Sequence, residues 1–327
     1  MIAQTPRLVT LLRLWDRLPV APPPALRSRG RPKDYSDGLF VKALVVMIVR
    51  RLTKVHELLS VLEEPTREMR RLKALLHEQG RFPSRRTWDR RLNQVPDTLP
   101  EQIALVGTHL LALLQPWMEQ GRAGAIDSTL LRAKGGMWHK KDREKGVVPH
   151  TSIDPQAHWG KSQWHGWVYG WKLHVILTVA DVWLPLAADV TPANHYDGDM
   201  GLWLVEALPD EVRFVLGDRH YNLDELRHLC AEADRELVAS RYGAYPHSDG
   251  GVEVRRIFHK LRSLAIENFN GQFKGMFEVQ GQVPTRGEVH TRRYFLGAIL
   301  VYQLILWYRF EHGLDLRVGL EAFLKAA

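Results

Sequence analysis

Gly124 divides this chain of 327 residues into two periodicities. Before it, apolar residues recur every three or four positions, the spacing of helices; after it, they come in short runs that alternate with helical stretches. Such a break predicts an all-helical region over residues 1–120 and a mixed α/β region over 121–327. Leu39–Val49 reads as one buried helix and Val55–Glu63 as an amphipathic one. Thr66–His77 places Met69, Leu72, Leu75 and Leu76 near one face, with arginines opposite. Pro83-Ser84 signals a helix start ahead of Arg85-Arg86-Thr87-Trp88-Asp89-Arg90-Arg91-Leu92, and a further helix spans 100–119. The segment before residue 32 reads as a short helix followed by a Pro- and Arg-rich arm.

Beyond Gly124 the predicted order is strand, hairpin, helix, strand, helix, strand, helix. Ala125-Ile126-Asp127-Ser128-Thr129 is a short apolar run ending at an acid, and Lys172–Ala180 with Trp183–Val190 forms a hairpin across Asp181-Val182. Met200–Leu208 is helical, and Val212–Leu216 is a strand that ends at Gly217-Asp218. Leu223–Ala233 is helical, Glu236–Ser240 is strand-like, and Phe258–Phe277 is one helix carrying Glu267.

Asp127 and Asp218 thus stand at the ends of separate strands, where a rigid sheet fixes a side chain and leaves its tip free. Read alone, each is a solvated strand-end acid. Glu267 read alone is an exposed helical acid; Lys274 lies two turns on along the same face, with Phe269 and Phe273 on another. Taken together, three carboxylates from three elements are the donor set of a two-metal phosphoryl-transfer site. Magnesium takes oxygen ligands, and a pair of such ions clamps the attacking and leaving oxygens.

The charge is unevenly placed. Of the formal net +8, residues 1–100 hold 20 basic and 10 acidic side chains, whereas residues 101–327 hold 25 and 27. A basic first third joined to a slightly acidic remainder fits a polyanionic partner gripped mainly by the helical region. Arg85, Arg86, Arg90 and Arg91 make the helix after Ser84 a candidate for reading or tracking duplex DNA, the other reading being a solvated basic face. Arg27, Arg29, Arg31 and Lys33 resemble a groove- or phosphate-gripping arm. The stretch Trp138–Trp171 holds five tryptophans and four histidines. It reads equally as a DNA-contacting loop or as a loop packed on the sheet, and its spacing gives no recognised zinc pattern.

Other classes are excluded more simply. A chain 45% hydrophobic and 25% charged is neither disordered nor fibrous, and one cysteine, Cys230, cannot close an internal disulfide. That cysteine content fits a reducing, cytoplasmic compartment. Arginines interrupt the leucines of the first twenty residues, which removes a signal-peptide core. The longest apolar run, Phe295–Tyr308, is too short for a bilayer and contains Gln303, so it reads as a buried helix of a soluble protein.

The motifs together resemble the DDE transposases of bacterial insertion sequences. Ala-Ile-Asp127-Ser-Thr is similar to the family's first-aspartate strand, and Ser152-Ile-Asp-Pro-Gln-Ala-His-Trp-Gly-Lys161 with Gly170-Trp-Lys-Leu-His174 to the lead into its second strand. Thr191-Pro-Ala-Asn-His195-Tyr-Asp197 resembles the turn after the third strand, and Gly217-Asp218-Arg-His-Tyr221 the second-aspartate motif. Glu267 with six residues before Lys274 is similar to the end of the family's Tyr-Arg-Glu-Lys signature. The chain departs from that signature upstream. The family's arginine lies four residues before the glutamate, where Ser263 stands, Arg262 being five before; Lys260 stands where the tyrosine is expected.

The resemblance implies a ribonuclease-H-like mixed sheet flanked by helices and preceded by the all-helical region. It implies that Asp127, Asp218 and Glu267 bind two divalent ions, Mg²⁺ or Mn²⁺, for cleavage at transposon ends and strand transfer into target DNA. Lys274, Arg262 and Lys161 would contact DNA, and two terminal inverted repeats would be brought together by a homodimer. The alternatives are a metal-dependent nuclease that does not join ends, and a non-catalytic DNA-binding regulator descended from a transposase.

Overall fold

Serine and threonine caps start the helices where the sequence places them. The computed structural model describes residues 6–18, 35–114, 122–162, 166–239 and 249–325, with the side chains of the last stretch described from residue 256. The arm at Arg27–Lys33, the last turn of the 100–119 helix, and Trp164 and His165 lie outside these residues. The helical region comprises α1 (Arg7–Trp15), α2 (Asp37–Val49), α3 (Val55–Leu62), α4 (Arg67–Leu75), α5 (Arg85–Gln94) and α6 (Leu99–Leu114). The hydroxyls of Ser36, Thr66 and Ser84 accept the backbone N–H groups of Leu39, Met69 and Thr87, satisfying donors that a helix start leaves unpaired.

The second region runs β1 (Ala123–Arg132), α7 (Lys140–Glu144), β2 (His158–Ser162), β3 (Gly166–Thr178), β4 (Pro185–Pro192), α8 (Asp197–Glu206), β5 (Phe214–Gly217), α9 (Asp224–Glu232) and β6 (Glu236–Ala239). Three helices follow: α10 (Asp249–Phe277), α11 (Glu288–Glu311) and α12 (Leu320–Lys325). The six strands form one sheet ordered β2-β3-β1-β5-β6, with β4 also on β3. β3 pairs antiparallel with β1 on one side; on its other side β2 takes Gly166–Gly170 and β4 takes Trp171–Leu177, end to end. β1, β5 and β6 are parallel. This is the mixed sheet flanked by helices that the resemblance implies. The hairpin is longer than expected in its first arm, and β2 is an addition: His-Trp-Gly-Lys-Ser has no alternation of apolar and polar residues to announce a strand.

The change of period at Gly124 is not a break in packing. Buried side chains from Leu8 to Phe323 form one contiguous core. α11 is its axis, packing against α1, α2 and α6 from the first region and β4 from the sheet. Arg292 on α11 places two nitrogens 3.0 Å from the Asp189 carboxylate of β4, and the Gln303 amide donates to the carbonyls of Ile103 on α6 and Pro185 on β4, each at 2.8 Å. Gly107 allows α6 to come this near, since a Cβ there would stand 2.9 Å from the Pro185 carbonyl oxygen. Arg235, buried before β6, donates to the carbonyls of Val205, Leu208, Pro209 and Val212 and so closes the turn between α8 and β5. Among the described residues no helix is long and apolar enough to cross a membrane.

Candidate active site

The parallel pairing of β1 and β5 sets two carboxylates level. Ala123 pairs with Phe214, Gly124 with Val215 and Ala125 with Leu216, so two residues further along each strand Asp127 comes opposite Asp218. Gly217 permits the chain to turn there; a Cβ would meet the Tyr221 Cβ at 2.9 Å. Asp218 caps the short 3₁₀ turn Arg219–Tyr221, accepting the His220 N–H at 2.8 Å, with the His220 Nδ1 3.2 Å from its other oxygen.

Asp127 is half-buried. Removal from water pushes its carboxyl up to about 6; Arg262 opposes this, while the negative charges of Asp218 and Asp197 add to it. The Arg262 guanidinium donates to Asp127 Oδ2 at 2.9 Å. Lys274, whose pKa burial lowers, donates to the Thr129 hydroxyl at 2.7 Å, and Thr129 shares a face of β1 with Asp127. Phe269 and Phe273 of α10 are fully buried with ring centroids 5.4 Å apart, as their spacing predicts. α10 thus lies along β1, anchored at Asp127 by Arg262 and at Thr129 by Lys274.

Glu267 lies on α10 between those anchors, on the Lys274 flank, and is exposed. The structure brings Asp127 and Asp218 together but does not gather Glu267 with them. Among the described residues no cluster of three His, Cys, Asp or Glu side chains is spaced to hold a metal ion. Asp127 is in the middle of β1 and not at its end as the sequence suggests, while Asp218 directly follows β5. The pair fits a hard divalent cation nonetheless: four carboxylate oxygens on neighbouring strands, with the charge of Asp218 raising the cost of ionising Asp127, is the arrangement a cation relieves.

A third aspartate, Asp197, stands at the site; in the sequence it belongs to the turn Thr191–Asp197. Asp197, in the first turn of α8, accepts from the Lys172 ammonium at 2.9 Å and lies 3.6 Å from the His174 Nδ1. His174 is fully buried, bonded through Nε2 to the Thr191 hydroxyl at 2.8 Å; burial lowers its pKa to about 4, against the pull of Asp197. The readable signal was Lys172 and His174 two apart on one strand, hence on one face, ahead of an acid at a helix start. Tyr221 is buried next to all three aspartates; desolvation, with their charges adding, raises its pKa well above the ordinary value.

The other expected residues separate into exposed and buried. Arg85, Arg86 and Arg90 are exposed on α5, and Lys161 is exposed on β2 opposite Trp167, itself 66% exposed. Arg91 is a correction: it is 8% exposed, paired with Asp37 and seated over the Phe40 ring at 4.6 Å, so it belongs to the core and not to a DNA-facing surface. It shares the helix face of Trp88 and Leu92. Arg262 is held on Asp127 instead of facing solvent. In the Trp/His-rich stretch, Trp138 and Trp159 donate to the carbonyls of Val147 and Trp138, Arg143 lies over Trp138, and Trp171 is fully buried. Most of its described aromatic surface is therefore structural.

Residues 119–304 match the model of the transposase DDE domain family. The chain belongs to the DDE transposase family. The match begins ahead of β1 and ends within α11, so it takes in both aspartates, Asp197 and α10. No curated protein sequence matches the transposase. Among solved structures it is similar to a piggyBac transposase synaptic complex with hairpin DNA, at 11% identity over 97% of this chain and 76% of that one, with a TM-score of 0.38. It is also similar to a pre-cleavage Mos1 transpososome, at 11% identity, 85% and 79% coverage and a TM-score of 0.21. A Mos1 paired-end complex with the left transposon end gives 13% identity, 85% and 80% coverage and a TM-score of 0.23.

Proposed function

We propose that this transposase cleaves DNA at transposon ends and transfers the cut strand into target DNA, with Asp127, Asp218 and Glu267 as its metal-binding carboxylates. The observation that carries this reading is the level placement of Asp127 and Asp218 on adjacent parallel chain segments, beside a helix that brings Arg262 to Asp127 and Lys274 to Thr129. Two divalent ions, Mg²⁺ or Mn²⁺, would activate the attacking oxygen and stabilise the leaving one when bound there. The chain supplies the rest. The sheet fixes the two aspartates before substrate arrives, so little is lost in ordering them. Arg262 keeps Asp127 ionised against its burial and, when displaced, is placed to take a phosphate oxygen beside it. Lys274 holds a second positive charge one turn of strand away, suited to the backbone next to the scissile bond. Two ends, each bound to one copy of the chain, would be processed in a homodimer on duplex DNA.

The test is a gel assay with labelled duplexes carrying the element's terminal repeats and a target plasmid, in Mg²⁺ or Mn²⁺. Wild-type protein yields cut and joined products, and Asp127→Ala, Asp218→Ala and Glu267→Ala yield neither. Cutting without joining assigns a nuclease; joining at the wild-type rate by any of these variants overturns the reading.

A further inference from the structure

A cleft of about 640 Å³ lies between the helical region and the segments that follow β1 and lead into α11, and none of Asp127, Asp197 and Asp218 lines it. Its walls come from four places in the chain: Thr53–His56 at the start of α3, Arg85 to Asn93 of α5, Lys134 after β1, and Pro284 to Arg293 leading into α11. Five cations line it, Lys54, Arg85, Lys134, Arg286 and Arg293, against one carboxylate, Asp89, which is 3.9 Å from Arg85. No ion pair engages Lys54, Lys134, Arg286 or Arg293 among the described residues. Several of these cations are already held by backbone. Lys134 donates to the Pro284 carbonyl at 2.7 Å, Arg286 to the Thr151 carbonyl at 2.9 Å, and Arg293, buried at the floor, to Asn93 at 3.1 Å and to the Thr53 carbonyl at 3.4 Å. An isolated excess of positive charge costs self-repulsion, and a concave wall concentrates its field. Pre-positioned cations in such a cleft suit a chain of phosphates.

We propose that this cleft is a second DNA-backbone site, gripping the duplex inward of the cut, with Lys54, Lys134 and Arg286 as its exposed phosphate contacts. The inference rests on the transposase reading above and names a surface that the aspartates do not include. Its place follows from β1. Lys134 is seven residues beyond Asp127, five of them within β1, so at strand rise it stands at most about 23 Å away. At about 3.4 Å per nucleotide that is at most about seven nucleotides of duplex. A backbone held in the cleft therefore belongs to the same stretch of DNA as the phosphate at the carboxylates, and Arg85 links the cleft to the exposed arginines of α5.

The experiment measures binding without chemistry. A fluorescein-labelled 30-base-pair duplex of arbitrary sequence is titrated with full-length protein in EDTA, by anisotropy, from 50 to 200 mM salt. The triple variant Lys54→Gln/Lys134→Gln/Arg286→Gln is expected to reduce the log–log salt slope by about 2.7, which makes its affinity about 40-fold less salt-sensitive over that range. A charge-matched control, Arg213→Gln/Arg317→Gln/Lys325→Gln, keeps the wild-type slope. Lys134→Glu alone gives the same direction in a protein whose melting temperature is checked against wild type. An unchanged slope in the cleft triple, an equal fall in the control, or no duplex binding by wild-type protein overturns the proposal. The two readings are scored apart: the cleft triple is read from the salt slope in EDTA, where no cutting occurs, and catalysis from the gel assay, so failure of one leaves the other standing.

Discussion

His174 is buried and neutral, and that makes the stability of this protein fall in acid by an amount that can be isolated. In the unfolded chain the imidazole titrates near 6.5, whereas in the folded protein desolvation holds it at about 4. Above 6.5 both states are neutral and the residue contributes no pH dependence. As pH falls from 6.5 to 4 the unfolded chain takes up a proton that the folded one refuses, so stability is lost through that window. The loss is about 1 kcal/mol by pH 5.5 and about 2–3 kcal/mol by pH 4.5. The acid groups nearby are Asp197 and Asp189, and the bases Lys172 and His195; all remain in a His174→Gln variant, which keeps a group able to reach the Thr191 hydroxyl. Urea unfolding of both proteins at pH 7.5, 5.5 and 4.5 gives the difference in stability at each pH, in which the other titrations largely cancel. The wild-type advantage should shrink by those amounts. Parallel curves would refute the reasoning and mean that Asp197, 3.6 Å from Nδ1, keeps the ring protonated in the folded state.

Three further outcomes follow from the packing. Gly107→Ala drives a Cβ against the Pro185 carbonyl and should cost about 1–3 kcal/mol in denaturant unfolding, because the opposing atom is backbone. Arg292→Met leaves Asp189 half of a buried pair and should cost about 3 kcal/mol; adding Asp189→Asn should return part of it, a coupling read from the double-mutant cycle. Arg91→Gln should lower the melting temperature and leave the salt slope of duplex binding unchanged, whereas Arg86→Gln/Arg90→Gln should do the reverse, lowering the slope by about 2.

What could be read from the sequence was mostly local. The helices α2 to α6 are announced by apolar residues at helical spacing and by Ser84 ahead of α5, and α10 by the stacked Phe269 and Phe273. Asp127 and Asp218 were legible because each ends an apolar run, and the register of β1 with β5 then makes them neighbours. What pattern could not give were relations between distant segments. Arg91 sits in a run of arginines with nothing local to mark it as the one that turns inward onto Phe40 and Asp37. Arg262 stands one residue off the family's spacing, yet a long side chain on the right face of α10 still reaches Asp127. The Lys172–His174–Asp197 group joins a strand to a helix 23 residues later. The shared core was hidden too, since α11 is buried on all sides and shows no amphipathic stripe to say that two regions meet on it.

That helix has a geometric consequence for the reaction proposed. At 24 residues α11 is a rod about 36 Å long, and it is clamped at one end to α5 through Arg293 and Asn93 and along its length to β4. The surface proposed to hold DNA and the centre proposed to cut it are then mounted on one inflexible beam. On the proposed reaction the protein would measure length: the cut would fall a set number of base pairs from whatever α5 and the cleft touch, and inserting base pairs between those points would move the wrong phosphate to Asp127. Substrate tolerance would be a matter of helical phase as well as of sequence.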